Sequence, residues 1–371
     1  MKLVKSLSLS VSALAIAGAA SAGGIDRSNQ GLGNLFEAGR HVELSFGSVA
    51  PSITGSDVLG NTIENVGGRY TQWSLSYKYD INEKLSFALI VDKPFGADIL
   101  YAGNPAATML GGTEAYADAT AITGLLRYKL DGGFSVHGGV RAQQAEGEIA
   151  LSGLAYGPLN GYSVQLDRDV ALGYVVGAAY EIPDIALRVA LTYNSAITHD
   201  FATTEPTVGG PVTGTTDVEL PQSVNLDFQS GVAQDTVVFG QIRWAEWSSF
   251  RISPIVFSTA TGGGSLVELD DAITYTLGVG RRFSDAWAAS LSVSYEAAGD
   301  DNLVSPLTPT DGRIGASLGA AYTRDNMKIS MGINYTKVGD ARPETGTPDT
   351  ARASMTGNSV LGVGVKVGFS F

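Results

Sequence analysis

From about residue 40 to its end the chain alternates apolar residues with small or polar ones, and after its first two dozen residues it holds no apolar run long enough for a membrane-spanning helix. In the last segment Leu361, Val363, Val365, Val367, Phe369 and Phe371 fall on one side, and Gly362, Gly364, Lys366, Gly368 and Ser370 on the other. Successive side chains of a strand point to opposite faces, so such a segment has one oily face and one small or wet face. The split recurs in Ile329, Met331, Ile333 and Tyr335 against Lys328, Ser330, Gly332 and Asn334, and in Ile314, Ala316, Leu318 and Ala320 against Arg313, Gly315, Ser317 and Gly319. One alternating segment fits a soluble sandwich equally well. Fourteen in series, with a Gly- and Ser-rich second face, fit a barrel in lipid.

The segments lie near residues 40–50, 69–80, 84–92, 118–130, 133–146, 169–182, 184–198, 218–231, 235–247, 272–283, 286–297, 312–323, 326–337 and 359–371. Their connections alternate between turns of one to four residues and long loops near 51–68, 93–117, 147–168, 199–217, 248–271, 298–311 and 338–358. Outer-membrane barrels sort their connections this way, with the short turns in the periplasm, and closure removes the unpaired edges that lipid cannot solvate. The expected fold is all-β, a fourteen-stranded antiparallel transmembrane β-barrel in a bacterial outer membrane with both termini periplasmic. Tyr79, Tyr128, Tyr180 and Tyr322 near the short turns, and Tyr193, Tyr295 and Tyr335 near the long loops, supply two belts of amphipathic rings. The terminal Phe371 resembles the signal read by the barrel-assembly machinery, an expected partner together with membrane lipid and lipopolysaccharide. A monomer is the expected state.

Ahead of the barrel, Lys2 and Lys5, an apolar run over residues 7–17 and Ala20-Ser21-Ala22 have the form of a signal peptide over residues 1–22. Residues 23–39 then form a short segment before the barrel of residues 40–371. The chain has no cysteine, which excludes disulfides and thiolate metal sites, and its net charge of −13 argues against nucleic acid.

Several stretches are similar to FadL/TodX-type transporters of hydrophobic compounds. They are Leu220-Pro221-Gln222-Ser223-Val224; Ile242-Arg243-Trp244-Ala245-Glu246-Trp247-Ser248-Ser249-Phe250; Asp271-Ala272-Ile273-Thr274-Tyr275 with Gly278-Val279-Gly280 and Phe283-Ser284-Asp285-Ala286-Trp287; Lys93-Pro94-Phe95-Gly96; and Tyr193-Asn194-Ser195-Ala196-Ile197-Thr198-His199. The resemblance covers about residues 31–371. It implies fourteen strands, passive inward transport of long-chain fatty acids or hydrocarbons, an N-terminal hatch in the lumen and a sideways exit at a kinked strand. The chain departs from the family in its hatch. Residues 23–39 are few, and the family's Asn-Pro-Ala hatch motif is missing, since Leu35 and Phe36 follow Asn34. Asn104-Pro105-Ala106 lies in the second long loop and reads as a turn.

For the ligand path the sequence offers Leu35 and Phe36 as a seal, Pro94 and Gly96 as breakers of the third strand's ladder, and an oily loop of Phe95, Ile99, Leu100, Tyr101, Met109 and Leu110. That loop either captures ligand or packs upon itself. The lumen face is expected to carry Glu43, Asp92, His137, Arg141, Arg188, Asn194, Asp227, Glu296, Arg313, Lys328 and Lys366. These residues either line a selectivity path or pair with one another to fill the lumen. His41, His137 and His199 sit in no serine-centred motif, so an enzyme is not expected, nor is a cofactor. Asp270-Asp271 and Asp300-Asp301 read as exposed loop charge rather than a metal site. A water-filled porin and a non-transporting surface receptor are the alternatives to hydrophobic transport.

Overall fold

A computed structural model describes residues 25–299 and 301–371; the expected signal peptide and Asp300 lie outside the described residues. The barrel strands are β1 (His41–Ser52), β2 (Tyr70–Asp80), β3 (Leu85–Asp92), β4 (Gly96–Leu100), β5 (Glu114–Lys129), β6 (Phe134–Leu151), β7 (Tyr162–Ile182), β8 (Leu187–Asn194) and β9 (Ile197–Glu205). They continue with β10 (Val212–Leu220), β11 (Ser223–Ala233), β12 (Thr236–Ala245), β13 (Ala272–Arg282), β14 (Trp287–Glu296), β15 (Arg313–Arg324), β16 (Met327–Val338) and β17 (Ser359–Ser370). Three pairs, β3/β4, β8/β9 and β10/β11, are single spans broken in the middle, so the strands make fourteen spans. All main ladders are antiparallel, and β17 pairs with β1 from His41↔Ser370 to Ser52↔Ser359, closing the barrel.

The outward face is apolar around the circumference: Phe46, Leu126, Leu172, Leu277, Leu318 and Val363 are all exposed. A belt of this size would be untenable in water and suits a bilayer. Tyr128, Phe134 and Trp287 stand outward near the short turns, and Tyr275, Tyr295 and Tyr335 near the long loops.

The expected strands recur in place, but the wall between β4 and β10 rises well beyond them. The long loops expected at 93–117, 147–168 and 199–217 shrink to residues 101–113, 152–161 and 206–211. In the added segments the alternation runs in the opposite sense. Ile149, Leu151, Val164, Leu166, Phe201, Val218 and Leu220 are buried inside, whereas Glu148, Gln165, Asp200 and Asp217 are exposed. A register shift between Ala145 and Gly147 of β6 against β7 marks the changeover. Past the lipid the outer face meets water, so it turns polar and the inner face becomes free to be apolar.

At the long-loop end, residues 55–57, 62–63 and 353–355 form a small sheet, and Ile53, Val66, Tyr101, Met109, Leu110 and Met355 form a separate apolar cluster beneath it. Asp57 ties the loops by accepting hydrogen bonds from the N–H groups of Leu59 (3.0 Å), Asn61 (2.8 Å) and Met109 (3.0 Å). Burial raises its pKa, but bonds from the Asn61 side chain and these amides outweigh burial and hold it below its ordinary value. Asn104-Pro105-Ala106 forms the expected turn, with the Ala106 N–H donating to Asn104 Oδ1 at 3.0 Å.

Candidate functional site

The inverted segments enclose an apolar cavity at the long-loop end of the lumen. Its walls are Phe95, Ile149, Leu166, Phe201, Val218 and Leu220, with Ala115, Ala117, Ala119 and Ala145 leaving the space. Its roof is the loop of residues 246–271, which contributes Phe250, Ile252 and Val267. Among the described residues no Lys, Arg or His lines it; the charged residues at its border are Asp118, Glu146 and Glu148. Its volume is about 80 Å³. A dry cavity that takes benzene measures roughly 150 Å³, so occupancy requires the roof or walls to give.

The roof is held from below by Glu205, the last residue of β9, which is buried. Its carboxylate accepts the Tyr162 hydroxyl at 2.7 Å and the N–H groups of Val256 (2.9 Å) and Phe257 (3.1 Å). These amides open helix α1 (Ile255–Thr261), which starts after Pro254 and stops at Gly262 in the left-handed region. The carboxylate supplies the acceptor that the first turn of a helix lacks. Trp247 lies edge-on between Phe95 at 5.5 Å and Phe250 at 5.7 Å, linking the roof to the broken third span.

At that break the wall is incomplete. The β2–β3 ladder ends at Ser74↔Asp92 and is not resumed by β4, because Pro94 has no N–H to give and the chain turns aside. Gln72 Nε2 reaches Lys93 O at 2.7 Å, and farther along the Gly68 N–H donates to Asp98 O at 2.8 Å. Between these points the N-terminal segment acts as the missing strand. The Arg27 N–H donates to Pro94 O at 2.7 Å, the Gly96 N–H donates to Ile25 O at 2.9 Å, and Asp26 bridges Phe95. The Arg27 guanidinium lies 4.0 Å from the centre of the Tyr70 ring. It fills the space where any side chain at Gly96 would go, since a Cβ there would stand 2.5 Å from Arg27 Cζ. A side chain at this position would displace the guanidinium.

The rest of the N-terminal segment is pinned inside the lumen. Arg243 donates to Asp26 (2.8 Å) and Asn225 (2.8 Å), Ser28 donates to Asp92 (2.7 Å), and Ser223 donates to Gln30 (2.8 Å). Leu32 and Leu35 pack with Ala88, Ile90, Leu125 and Val175. Phe36 is clamped between the guanidinium groups of Arg127 (4.5 Å) and Arg188 (4.6 Å). Beside this segment lies a second cavity of about 280 Å³, lined by charged residues that include Glu37, Glu43, Asp92, Asp227, Arg188 and Lys366 together with apolar ones such as Leu32, Phe36, Val49 and Ile90.

Of the residues expected on a ligand path, Phe95 and Gly96 line the apolar cavity, while Pro94 and Ile99 flank the gap in the wall. Leu35 and Phe36 belong to the pinned N-terminal segment. Tyr101, Met109 and Leu110 are placed elsewhere, in the loop cluster, where the Tyr101 hydroxyl donates to Pro306 O at 2.9 Å; Leu100 is exposed. Among the lumen residues, Lys366 pairs with Glu43 at 2.9 Å and Arg313 with Glu296 at 2.8 Å. Asn194 donates to Ser223, Arg141 to Thr123, and His137 shares a hydrogen bond with Thr192. Asp227 accepts from Gln241, and Lys328 lies near Glu37 and Glu43. Asp271 accepts from the Ser248 N–H at 3.0 Å. Ile149, Leu166, Phe201, Val218, Leu220, Glu205 and Arg27 escaped the sequence reading. For the apolar five the signal was the inverted alternation; for Arg27 there was none.

The sequence profile of the family described as outer membrane protein transport protein (OMPP1/FadL/TodX) matches residues 63–371. The chain belongs to this family. Its members are transport channels rather than enzymes. Among solved structures, a Pseudomonas aeruginosa FadL homologue superposes with a TM-score of 0.72 at 16% identity, covering 91% of this chain and 92% of that chain. The Pseudomonas putida toluene transporter TodX gives 0.65 at 14% identity, covering 96% and 97%. The Ralstonia pickettii toluene transporter TbuX gives 0.64 at 14% identity, covering 96% and 97%. At these identities the likeness concerns the fold. No curated protein sequence matches the chain.

Proposed function

We propose that this barrel carries small neutral hydrophobic compounds inward across the outer membrane, taking them up in the apolar cavity and releasing them sideways into the bilayer through the gap between β2 and β4. The observation that carries this reading is adjacency. The cavity and the gap share Ile25, Gly96, Ala97, Leu307 and Thr308, so a ligand passes directly from one to the other, past the Arg27 and Asp98 side chains that also line the gap. The alternative route along the barrel axis passes the pinned hatch and the charged cavity beside it, where each apolar group would give up its favourable burial. The short turns and both termini then face the periplasm, and the long loops face outward through the lipopolysaccharide. A monomer suffices, since one barrel holds cavity, gap and hatch.

The cavity chemistry favours hydrocarbons over ionised fatty acids, because no cationic side chain among the described residues lines it. TodX and TbuX, toluene transporters of the same fold, are consistent with this choice.

The test is uptake of labelled toluene by cells that lack the protein, against cells that carry it or its Ala119→Trp variant, which fills the cavity. Faster uptake with the native chain and none of that gain with the filled cavity is expected. Equal uptake in all three would refute hydrophobic transport, and steady ion conductance of the native barrel in planar bilayers would point to a porin instead.

A further inference from the structure

The apolar cavity, at about 80 Å³, is smaller than the roughly 150 Å³ that holds benzene, so one of its sides moves when a ligand enters. Its walls are poorly suited to that. β5 and β6 stay paired from Glu114↔Ala150 to Lys129↔Ser135, and β9 and β10 from Ile197↔Leu220 to Glu205↔Val212. The N-terminal segment is held through Asp26, which accepts from Arg243. The roof is built otherwise. Within it, residues 253–265 form an Ω-shaped flap whose ends meet: the Leu266 N–H donates to Ile252 O at 2.8 Å, and the Ile252 N–H donates to Ser265 Oγ at 3.0 Å. Among the described residues, the hydrogen bonds from this flap to the barrel all end on one carboxylate, that of Glu205, which accepts the Val256 and Phe257 N–H groups. A flap tied in this way swings as a unit and gives up no ladder bond. Its underside is apolar. Phe257 is buried with its ring 5.5 Å from that of Tyr162, in the same apolar cluster as Phe201, Val218 and Leu220 of the cavity wall. Its upper side, residues 259–263, is exposed, and Gly262 and Gly263 have open space where a Cβ would be.

We propose that the flap of residues 253–265 is the door through which apolar ligand enters the cavity from the long-loop side, and that Glu205 is its latch. The inference rests on the hydrophobic transport proposed above, and it adds the way in. Raising the flap breaks the two amide bonds to Glu205 and parts Phe257 from Tyr162, which uncovers apolar surface running to Phe201 and Val218 of the cavity wall. Glu205 acts as a positioning residue. The Tyr162 hydroxyl, 2.7 Å away, still holds its carboxylate in place while the flap is raised, so the latch is ready when the flap returns.

The native chain has no cysteine, so an engineered pair reports cleanly. A Cβ at Gly214 of β10 would stand 3.3 Å from Ile255 Cγ1, one bond from that residue's own Cβ, which brings Gly214→Cys/Ile255→Cys within disulfide reach. The control is Ser56→Cys/Ser354→Cys, whose residues stand opposite one another in the small loop sheet, away from the flap. Initial rates of labelled toluene uptake are measured for both pairs, oxidised and reduced, and for Glu205→Gln alone and within the flap pair; a short bis-maleimide closes either pair if its thiols do not oxidise. The closed flap pair should show no uptake above cells lacking the protein, reduction of its disulfide should restore uptake, and the control pair should carry toluene in both states. Glu205→Gln exchanges charge-assisted bonds for neutral ones about half as strong and should raise the rate roughly tenfold. Closing the flap pair should remove that gain. Should Glu205→Gln fail to assemble into a heat-modifiable barrel, Tyr162→Phe, which takes away the latch's support, should also raise the rate. Native-like uptake by the closed flap pair overturns the door, and so does equal blockage by the control pair. No gain from loosening the latch, or a gain that survives closure of the flap, overturns the role of Glu205 and leaves the door standing. Absence of uptake by the native chain overturns hydrophobic transport itself.

Discussion

The sharpest consequence of the cavity's lining is its treatment of charge. Toluene and benzoate are nearly the same size, differing by a methyl group against a carboxylate. In the cavity a carboxylate would lose its water and meet no Lys, Arg or His, with Asp118, Glu146 and Glu148 at the border. The effective cost of burying an unpaired ion is several kcal/mol, taken here as about 4 kcal/mol. At 1.36 kcal/mol per decade this corresponds to about a thousandfold discrimination. The assay is competition: uptake of labelled toluene against unlabelled toluene or benzoate at neutral pH. Benzoate should need about a thousandfold higher concentration for the same inhibition. In acid, below a carboxyl pKa of about 4, the neutral form should compete well. Leu220→Lys places a cation on the inner face of β10 and should reverse the preference, weakening toluene and admitting benzoate. If benzoate at neutral pH competes with the native protein within tenfold of toluene, the reasoning from lining to selectivity is wrong.

Three further outcomes follow from other parts of the molecule. Glu205→Ala strips the acceptor from Tyr162, Val256 and Phe257, and should free the roof at a cost of about 3 kcal/mol; limited proteolysis should then cut within residues 246–271 while the barrel stays intact. Glu344, in the strap Arg342–Thr345 of the seventh long loop, has its carboxyl pushed up to about 7, by burial first and then by Asp349, Asp301 and Glu268. A raised acid stabilises the fold fully below its ordinary value and loses that contribution as pH rises through the folded one, so hydrogen-exchange protection over residues 339–351, taken relative to the intrinsic rate at each pH, should fall between about pH 5 and about pH 8, and Glu344→Gln should abolish that fall. Leu318→Arg, midway along the lipid face of β15, should cost about 2–4 kcal/mol and lower the denaturant midpoint of the barrel in detergent or liposomes; an unchanged midpoint would argue against lipid at that face.

The strands were legible because lipid imposes a single rule on every one of them. Leu318, Ile333 and Val363 must face out whatever the neighbouring loops do, so the phase of alternation alone locates β15, β16 and β17. The candidate site was legible only in part. Pro94 and Gly96 announced a break by their backbone chemistry, and Phe95 came with them. For Tyr101, Met109 and Leu110 the sequence left two readings open, because an oily loop that folds onto its neighbours has the same composition as one that waits for a ligand; in the structure they pack in the loop cluster. Arg27 lay beyond reach in principle. Nothing local distinguishes it from any other arginine in a polar segment, and its position depends on a gap made by residues nearly seventy positions away.

The inverted alternation explains why the site stands where it does. Within the bilayer the outer face must be apolar, and the inner face must then be small or polar, or both faces would be grease and the strand would lose the contrast that fixes its register. Where the wall rises past the lipid, the outer face meets water, so Glu148, Asp200 and Asp217 take it over. The same pleat then turns Ile149, Phe201 and Val218 inward, with the bulge at β6–β7 absorbing the change of phase on one of the strands. An apolar chamber above a polar lumen thus follows from where the membrane ends, and needs no residue set aside for it. What the chain adds is a break in that wall: a proline and a glycine interrupt the ladder beside the chamber, and the N-terminal segment takes the place of the missing strand.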